Sequence, residues 1–159
     1  MIVGGGFSNS FDPHFKSPRE LVHLLIDVVC RGGNLALNLA PQPNGRLPAE
    51  GVRMLDGMGD WLRPNGEAIY GTRMAEPNES GRVAFTKKGN IHYALVRQPE
   101  GEPLQKQLLI PWPGSCSKLT LLDLEANMSF KRTDDGLVVD IPNILVGSNP
   151  IAPVFRIEP

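Results

Sequence analysis

The apolar residues Leu21, Leu24, Leu25, Val28 and Val29 recur at three- and four-residue spacing, the pattern of a helix that buries one face, and they predict a helix over 17–32. Its ends are written in the sequence too. Ser17 with Glu20 forms a capping box around Pro18, and Gly32-Gly33 supplies a left-handed stop. The short apolar run at 34–40, carrying Leu35, Leu37 and Leu39 and ended by Pro41, reads as a buried strand. After a turn at Pro43-Asn44-Gly45, a second helix is expected from 48 to 62. Val52, Leu55, Met58, Trp61 and Leu62 form its inward side, and Asn65-Gly66 closes it. Gly51, Gly57 and Gly59 each cost about 1 kcal/mol relative to alanine inside a helix, so this element is expected to depend on packing.

Helix, buried strand and helix in succession form an α/β unit, whose parallel strand needs parallel neighbours. Nothing else before residue 80 reads as a strand. From residue 82 the pattern changes to short extended runs at 82–86, 91–97, 104–110, 117–122, 128–132, 137–141 and 154–157. Breaker clusters at 88–90, 99–103, 111–114 and 134–136 separate them, the spacing of an antiparallel sandwich. Residues 73–80 show neither period, and 74–80 is expected to be a linker. There is no internal repeat and no low-complexity tract.

Composition narrows the function classes. Sixteen Lys+Arg stand against 17 Asp+Glu in 159 residues, a net charge of −1 with no cationic cluster, so nucleic acid is not an expected partner. The apolar runs fall far short of the roughly 20 residues that cross a bilayer, and the N-terminus lacks the charged and apolar regions of a signal peptide. A soluble chain with no membrane partner is expected. Cys30 and Cys116 have no C-x-x-C spacing and read as buried thiols rather than a disulfide or a metal site.

Candidate chemistry is sparse. His14, His23 and His92 lie at no metal-ligand spacing, and His23 is expected at the surface. No nucleophile elbow or P-loop occurs, and Gly4-Gly5-Gly6 has no strand before it. No cofactor and no metal are expected. Asp56 and Asp60, one helical turn apart, read as solvated carboxylates, and Asp134-Asp135-Gly136 as a hairpin turn ahead of a calcium site. Asn78-Glu79-Ser80 matches a glycosylation sequon, a pattern that chance often produces. Phe11, in a loop with Pro13, His14 and Phe15, suits a sugar face as well as a core. Trp112, between two prolines, is the aromatic to consider for sugar binding by the sandwich, with packing the favoured role.

Read in order, the string from Ser17 to Pro41 with its Gly33-Asn34-Leu35-Ala36-Leu37-Asn38, then Asn44-Gly45-Arg46-Leu47-Pro48, Gly59-Asp60-Trp61-Leu62 and Asn65-Gly66-Glu67-Ala68-Ile69-Tyr70-Gly71-Thr72, resembles the α-L-fucosidases of glycoside hydrolase family 29. The match covers residues 7–73. It implies a fold in two parts: the last strand and helices of a TIM barrel over 1–73, then a linker at 74–80 and an all-β antiparallel sandwich over 81–159. A whole barrel takes about 250 residues, so the chain is expected to begin inside the catalytic domain. Any export signal would then lie on the missing part, and the compartment stays open. The family hydrolyses α-L-fucosides with retention, which needs two carboxyl groups about 5–5.5 Å apart. By resemblance, its nucleophilic Asp and acid/base Glu precede the matched portion, so no catalytic residue is expected here.

Phe11 matches the aromatic placed against the fucose methyl, although Asp12-Pro13-His14 departs from the family's Gly-Tyr-Asn continuation. Asn38, at the C-terminal end of the implied last strand, either fixes the neighbouring loop or touches sugar. The implied partners are a fucosylated oligosaccharide and the missing N-terminal barrel portion or a second chain supplying it, with a homo-oligomer as a further possibility. Two readings stand beside this one: a non-catalytic carbohydrate-binding or structural sandwich module, and one chain of a split enzyme. Leu21, Leu25, Val28, Leu35, Leu37 and Leu39 are expected to expose apolar surface that a whole barrel would cover.

Overall fold

The computed structural model describes residues 15–159. Two helices, α1 (Pro18–Cys30) and α2 (Ala49–Asn65), lead into a short 3-10 turn at Gly66–Ala68. Nine strands follow: β1 (Arg73–Ser80), β2 (Val83–Lys88), β3 (Ile91–Val96), β4 (Gln107–Ile110), β5 (Lys118–Leu121), β6 (Ala126–Asn127), β7 (Phe130–Thr133), β8 (Gly136–Asp140) and β9 (Val154–Glu158). They form a six-stranded sheet in the order β1-β2-β3-β9-β5-β6 and a three-stranded sheet in the order β4-β8-β7, with antiparallel pairing throughout.

Side chains alternate across a strand, and in the large sheet both faces are covered. Phe85, Ala94, Val96, Leu119, Leu121, Phe155 and Ile157 meet Leu108, Ile110, Leu137 and Val139 of the small sheet in one core. Ala84, Tyr93, Leu95 and Val154 face the other way, against Leu21, Val22, Leu25 and Ile26 of α1 and Met54, Met58 and Trp61 of α2. The result is three layers: helices, large sheet, small sheet. Trp112 is 4% exposed in the sheet-to-sheet core, beside the rings of Phe85 and His92 and bonded from its indole N–H to the Ser115 carbonyl at 3.1 Å. It fills space and offers no surface platform.

All seven expected strands are present, displaced by up to three residues at their ends. The Ser17–Glu20 box forms as written: the Glu20 N–H donates to Ser17 Oγ at 3.1 Å and the Ser17 N–H to Glu20 Oε2 at 2.7 Å. Gly32, at φ +79°, ends the helix. The Asp134-Asp135 hairpin joins β7 to β8.

Four expectations need correction. Residues 73–80 are no linker but the edge strand β1, paired with β2 at both ends through an irregular middle that contains Pro77. An edge tolerates Pro and polar residues because half of its backbone groups face away from the sheet, which erases the alternation that marks an inner strand. Residues 34–40 form no buried strand among the described residues: only Asn38 takes an isolated bridge, and Leu35, Leu37 and Leu39 are half-buried. Without neighbours on both sides, an extended apolar run has no ladder to join. Leu21 and Leu25 are not exposed, because the large sheet covers them. Val52 and Leu55 of α2 face solvent, and Gly51, Met54 and Asn65 join the expected Met58 and Trp61 on the inward side. Gly51 and Gly57 permit this seating: a Cβ would lie 2.5 Å from Leu39 Cδ1 at the first and 2.7 Å from Pro18 Cγ at the second.

Candidate functional site

Beyond the turn at Gly32, the 34–40 segment runs with two-residue alternation. Leu35 and Leu37 pack on the helical core and Leu39 sits against Gly51, so Ala36 and Asn38 face outward, both exposed. The loop that follows is a closed turn. The Gln42 N–H donates to the Arg46 carbonyl and the Gly45 N–H to the Gln42 carbonyl, each at 2.8 Å, and the Arg46 N–H donates to Asn44 Oδ1 at 3.0 Å. Asn38 is therefore an exposed amide ahead of an ordered turn. Nearby in the chain, Leu25, Val29, Gly33, Leu35, Ile69 and Tyr70 line an open cleft of about 530 Å³, with Tyr70 62% exposed. Phe11, the other residue singled out for sugar contact, lies outside the described residues, as do His14 and the glycines at 4–6.

The 65–72 motif proves to be a set of structural ties. Asn65 is fully buried and donates from Nδ2 to the Trp61 carbonyl at 3.0 Å and to Asp123 Oδ1 at 2.6 Å. Thr86 Oγ1 of β2 donates to the Ala68 carbonyl at 2.7 Å, and Thr72 Oγ1 to the Ile69 carbonyl at 2.9 Å. A Cβ on Gly66 would lie 2.9 Å from the Tyr70 ring. These residues fasten the end of α2 to the large sheet.

The carboxylates have structural employment as well. Asp27 and Glu79 both bind Arg97, and Glu79 also binds Arg31 at 2.9 Å, an ion cluster between α1 and the sheet edge. The hydrogen bond from Arg31, helped by Arg97, holds the Glu79 carboxyl below its ordinary pKa. Burial raises that of Asp123 against the Asn65 bond. Asp60 pairs with Arg63 on the solvent side of α2. Burial raises both thiols, so Cys30 and Cys116 stay protonated near neutral pH.

Three donors whose distant acceptors no local spacing reveals join the layers. Arg19 reaches from α1 to the carbonyls of Gln98, Asn149, Pro150 and Ile151. His23 Nε2 lies 2.9 Å from the Ile151 carbonyl, which can only accept, so Nε2 carries the proton. Trp61 Nε1 donates to the Ala152 carbonyl at 2.8 Å. His23 is thus an interface residue rather than the surface histidine expected, and burial lowers its pKa despite the Ile151 bond. Chemically, the described residues of this region offer an amide, an ordered turn and a cleft that can hold a ligand by shape and hydrogen bonding. Where two carboxylates do share a neighbour, Asp27 and Glu79 on Arg97, both are engaged in ion pairs.

A family model described as Alpha-L-fucosidase matches residues 5–67. The chain is 31% identical to the human tissue alpha-L-fucosidase over 130 residues, 79% of this chain and 28% of that protein, and 32% identical to the alpha-L-fucosidase of Branchiostoma floridae over 128 residues, 77% and 28% respectively. The crystal structure of Thermotoga maritima alpha-fucosidase in complex with fucose superposes with a TM-score of 0.85 at 30% identity, covering 99% of this chain and 38% of that one. The chain therefore spans only about 27–36% of the length of curated relatives such as these.

Proposed function

The chain belongs to the α-L-fucosidase family, and from that premise we propose that it is the C-terminal portion of a retaining α-L-fucosidase acting on fucosylated glycans. The supporting observation is that its fold aligns almost end to end with part of a fucose-bound enzyme, while Asp27 and Glu79 serve ion pairs and Glu20 a helix cap. On this reading residues 1–73 complete the catalytic barrel, and the nucleophilic Asp and acid/base Glu come from earlier barrel strands. Retention needs those two groups about 5–5.5 Å apart on either side of the glycosidic bond. Asn38 and Phe11 then border the sugar, Asn38 through its exposed amide ahead of the 41–46 turn.

An aryl α-L-fucoside tests this. The chain alone is expected to give no turnover, and the chain joined to the remaining portion of a family member is expected to hydrolyse the substrate. Turnover by the chain alone that disappears when one of its own Asp or Glu residues is replaced would overturn the assignment. In the joined protein, Asn38→Ala is expected to raise KM with little change in kcat if the amide touches sugar, and to lower both stability and kcat if it only fixes the loop.

A further inference from the structure

Asn65, at the last position of α2, is fully buried, yet its amide is only half satisfied. Nδ2 gives one hydrogen to the Trp61 carbonyl at 3.0 Å and the other to Asp123 Oδ1 at 2.6 Å, whereas Oδ1 has no hydrogen-bond partner among the described residues. Turning the amide over would set its oxygen against two acceptors, so the orientation is fixed. Native folds leave few buried carbonyl oxygens without a donor. The donor that Asn65 lacks is one proton away. Asp123 lies in the 3-10 turn Leu122–Leu124 that follows β5, exposed as a residue but with Oδ1 turned onto the Asn65 amide. An ionised carboxyl can only accept, whereas a protonated one carries an O–H beside its accepting oxygen and so matches both ends of a primary amide. The charged groups on the elements packed against this turn are Asp60 and Arg63 of α2 and Arg156 and Glu158 of β9, with Glu67, Lys118 and Glu125 around the adjoining cleft. Arg63 holds Asp60, Arg156 holds Glu67 and Glu158, and Lys118 also holds Glu158. None of them forms an ion pair with Asp123 among the described residues. Burial and the Asn65 bond act on its carboxyl in opposite directions, and burial prevails, raising its pKa.

We propose that Asp123 and Asn65 form a proton-operated latch between the end of α2 and the sandwich. With Asp123 ionised, one hydrogen bond joins the two side chains. When the carboxylate takes a proton from solvent, its new O–H donates to Asn65 Oδ1 while Asp123 Oδ1 keeps the Nδ2 bond, and two opposed hydrogen bonds close a ring. A carboxyl whose folded-state pKa is raised contributes stability that is complete below its unfolded value of about 3.9 and is lost as pH rises through the higher folded value. This direction is opposite to that of His23 and Glu79, whose pKa values are lowered. Both partners lie inside the chain, so the latch depends neither on the fucosidase reading nor on what the rest of a barrel would cover.

Two measurements on the full chain test the latch. In a carbon-detected NMR titration, Asp123 Cγ is expected to titrate above the ordinary aspartate range, and the Asn65 Cγ resonance to shift with the same midpoint, since its oxygen gains a donor. In urea unfolding, Asp123→Asn presents a donor to Asn65 Oδ1 at every pH. Its unfolding equilibrium constant at pH 7.5 is expected to lie about threefold below that of the unsubstituted chain, the effect of one modest hydrogen bond. The gap is expected to close by about pH 4, where the unsubstituted chain acquires the same second bond. Asp123→Ala, which can make neither bond, is expected to be less stable than Asp123→Asn at both pH values. An Asp123 midpoint at or below the ordinary range, an Asn65 resonance indifferent to that titration, an Asp123→Asn less stable than the unsubstituted chain at pH 7.5, or an Asp123→Ala as stable as Asp123→Asn would each overturn the proposal.

Discussion

Nη2 of Arg19 donates both to the backbone carbonyl of Asn149 at 2.9 Å and to its side-chain Oδ1 at 2.8 Å, while Nη1 reaches the carbonyls of Gln98 and Pro150 at 2.6 and 2.9 Å. One guanidinium thus fastens α1 to two loops of the sandwich. Hydrogen bonds made by a charged group contribute about 1.5–3 kcal/mol each in partly buried settings. Arg19→Ala is expected to lower the unfolding free energy by about 3 kcal/mol. Arg19→Lys should recover less than half of that loss, because an ammonium lacks the planar fork. Urea unfolding followed by circular dichroism measures both.

Trp61 makes the parallel tie from α2. Trp61→Phe keeps most of the ring volume but leaves the Ala152 carbonyl without its donor, so about 1–2 kcal/mol of stability should be lost. Trp61→Ala adds a cavity in the helix-to-sheet core and should cost about 3–5 kcal/mol. Thermal melts of the two variants separate the hydrogen bond from the packing.

Acid is expected to weaken the fold in two steps. His23 has its folded-state pKa lowered by burial, so its contribution is complete above the unfolded value of about 6.5 and is lost as pH falls through and below it. His92, lowered by burial and by Lys87, acts in the same direction and window. Glu79 has its pKa lowered by Arg31 and Arg97, so its contribution is present above the unfolded carboxylate value of about 4.3 and is lost as pH falls through the lower folded value. His23→Gln should flatten part of the loss just below pH 6.5 and leave the steeper acid limb, whereas Glu79→Gln should do the reverse. Denaturation midpoints taken across pH 3–8 distinguish the two.

Gly136, at φ +136° in the β7–β8 hairpin, has the chain of the Ile110–Trp112 corner pressed against it. A Cβ would lie 2.2 Å from the Ile110 carbonyl oxygen, which is backbone and cannot swing aside. Gly136→Ala is therefore expected to destabilise by more than about 3 kcal/mol, strain and collision together. Gly89→Ala, also at positive φ but with nothing within 4 Å, should cost only about 1 kcal/mol. Comparing the two by urea unfolding isolates the collision.

Elements whose cause lies inside a few neighbouring residues were legible in the chain itself. The Ser17–Glu20 box, the stop at Gly32, the Asp134-Asp135 hairpin and the inner strands each follow from local spacing. The outer strand β1 was hidden, since an edge strand buries too little to impose a two-residue period on its sequence. Asn65 and Ala68 stood out as part of a recognisable string, yet only the Asn65 bond to Asp123 and the Thr86 bond to the Ala68 carbonyl show that the string fastens the end of α2 to the sandwich.

By itself, then, the sequence determined the two helices, the inner strands, several of the caps and turns that end them, and which family the ordered motifs belong to. Tertiary structure alone decided what covers each apolar face. The spacing in α2 marks an apolar arc wide enough for two neighbours, but it cannot say that Met54 and Met58 go inward while Val52 and Leu55 remain outside. It also decided the roles of Arg19, His23 and Trp61. Their acceptors are main-chain carbonyls at 98 and 149–152, groups that every residue carries and that only the packing of α1 and α2 on the sheet brings within reach.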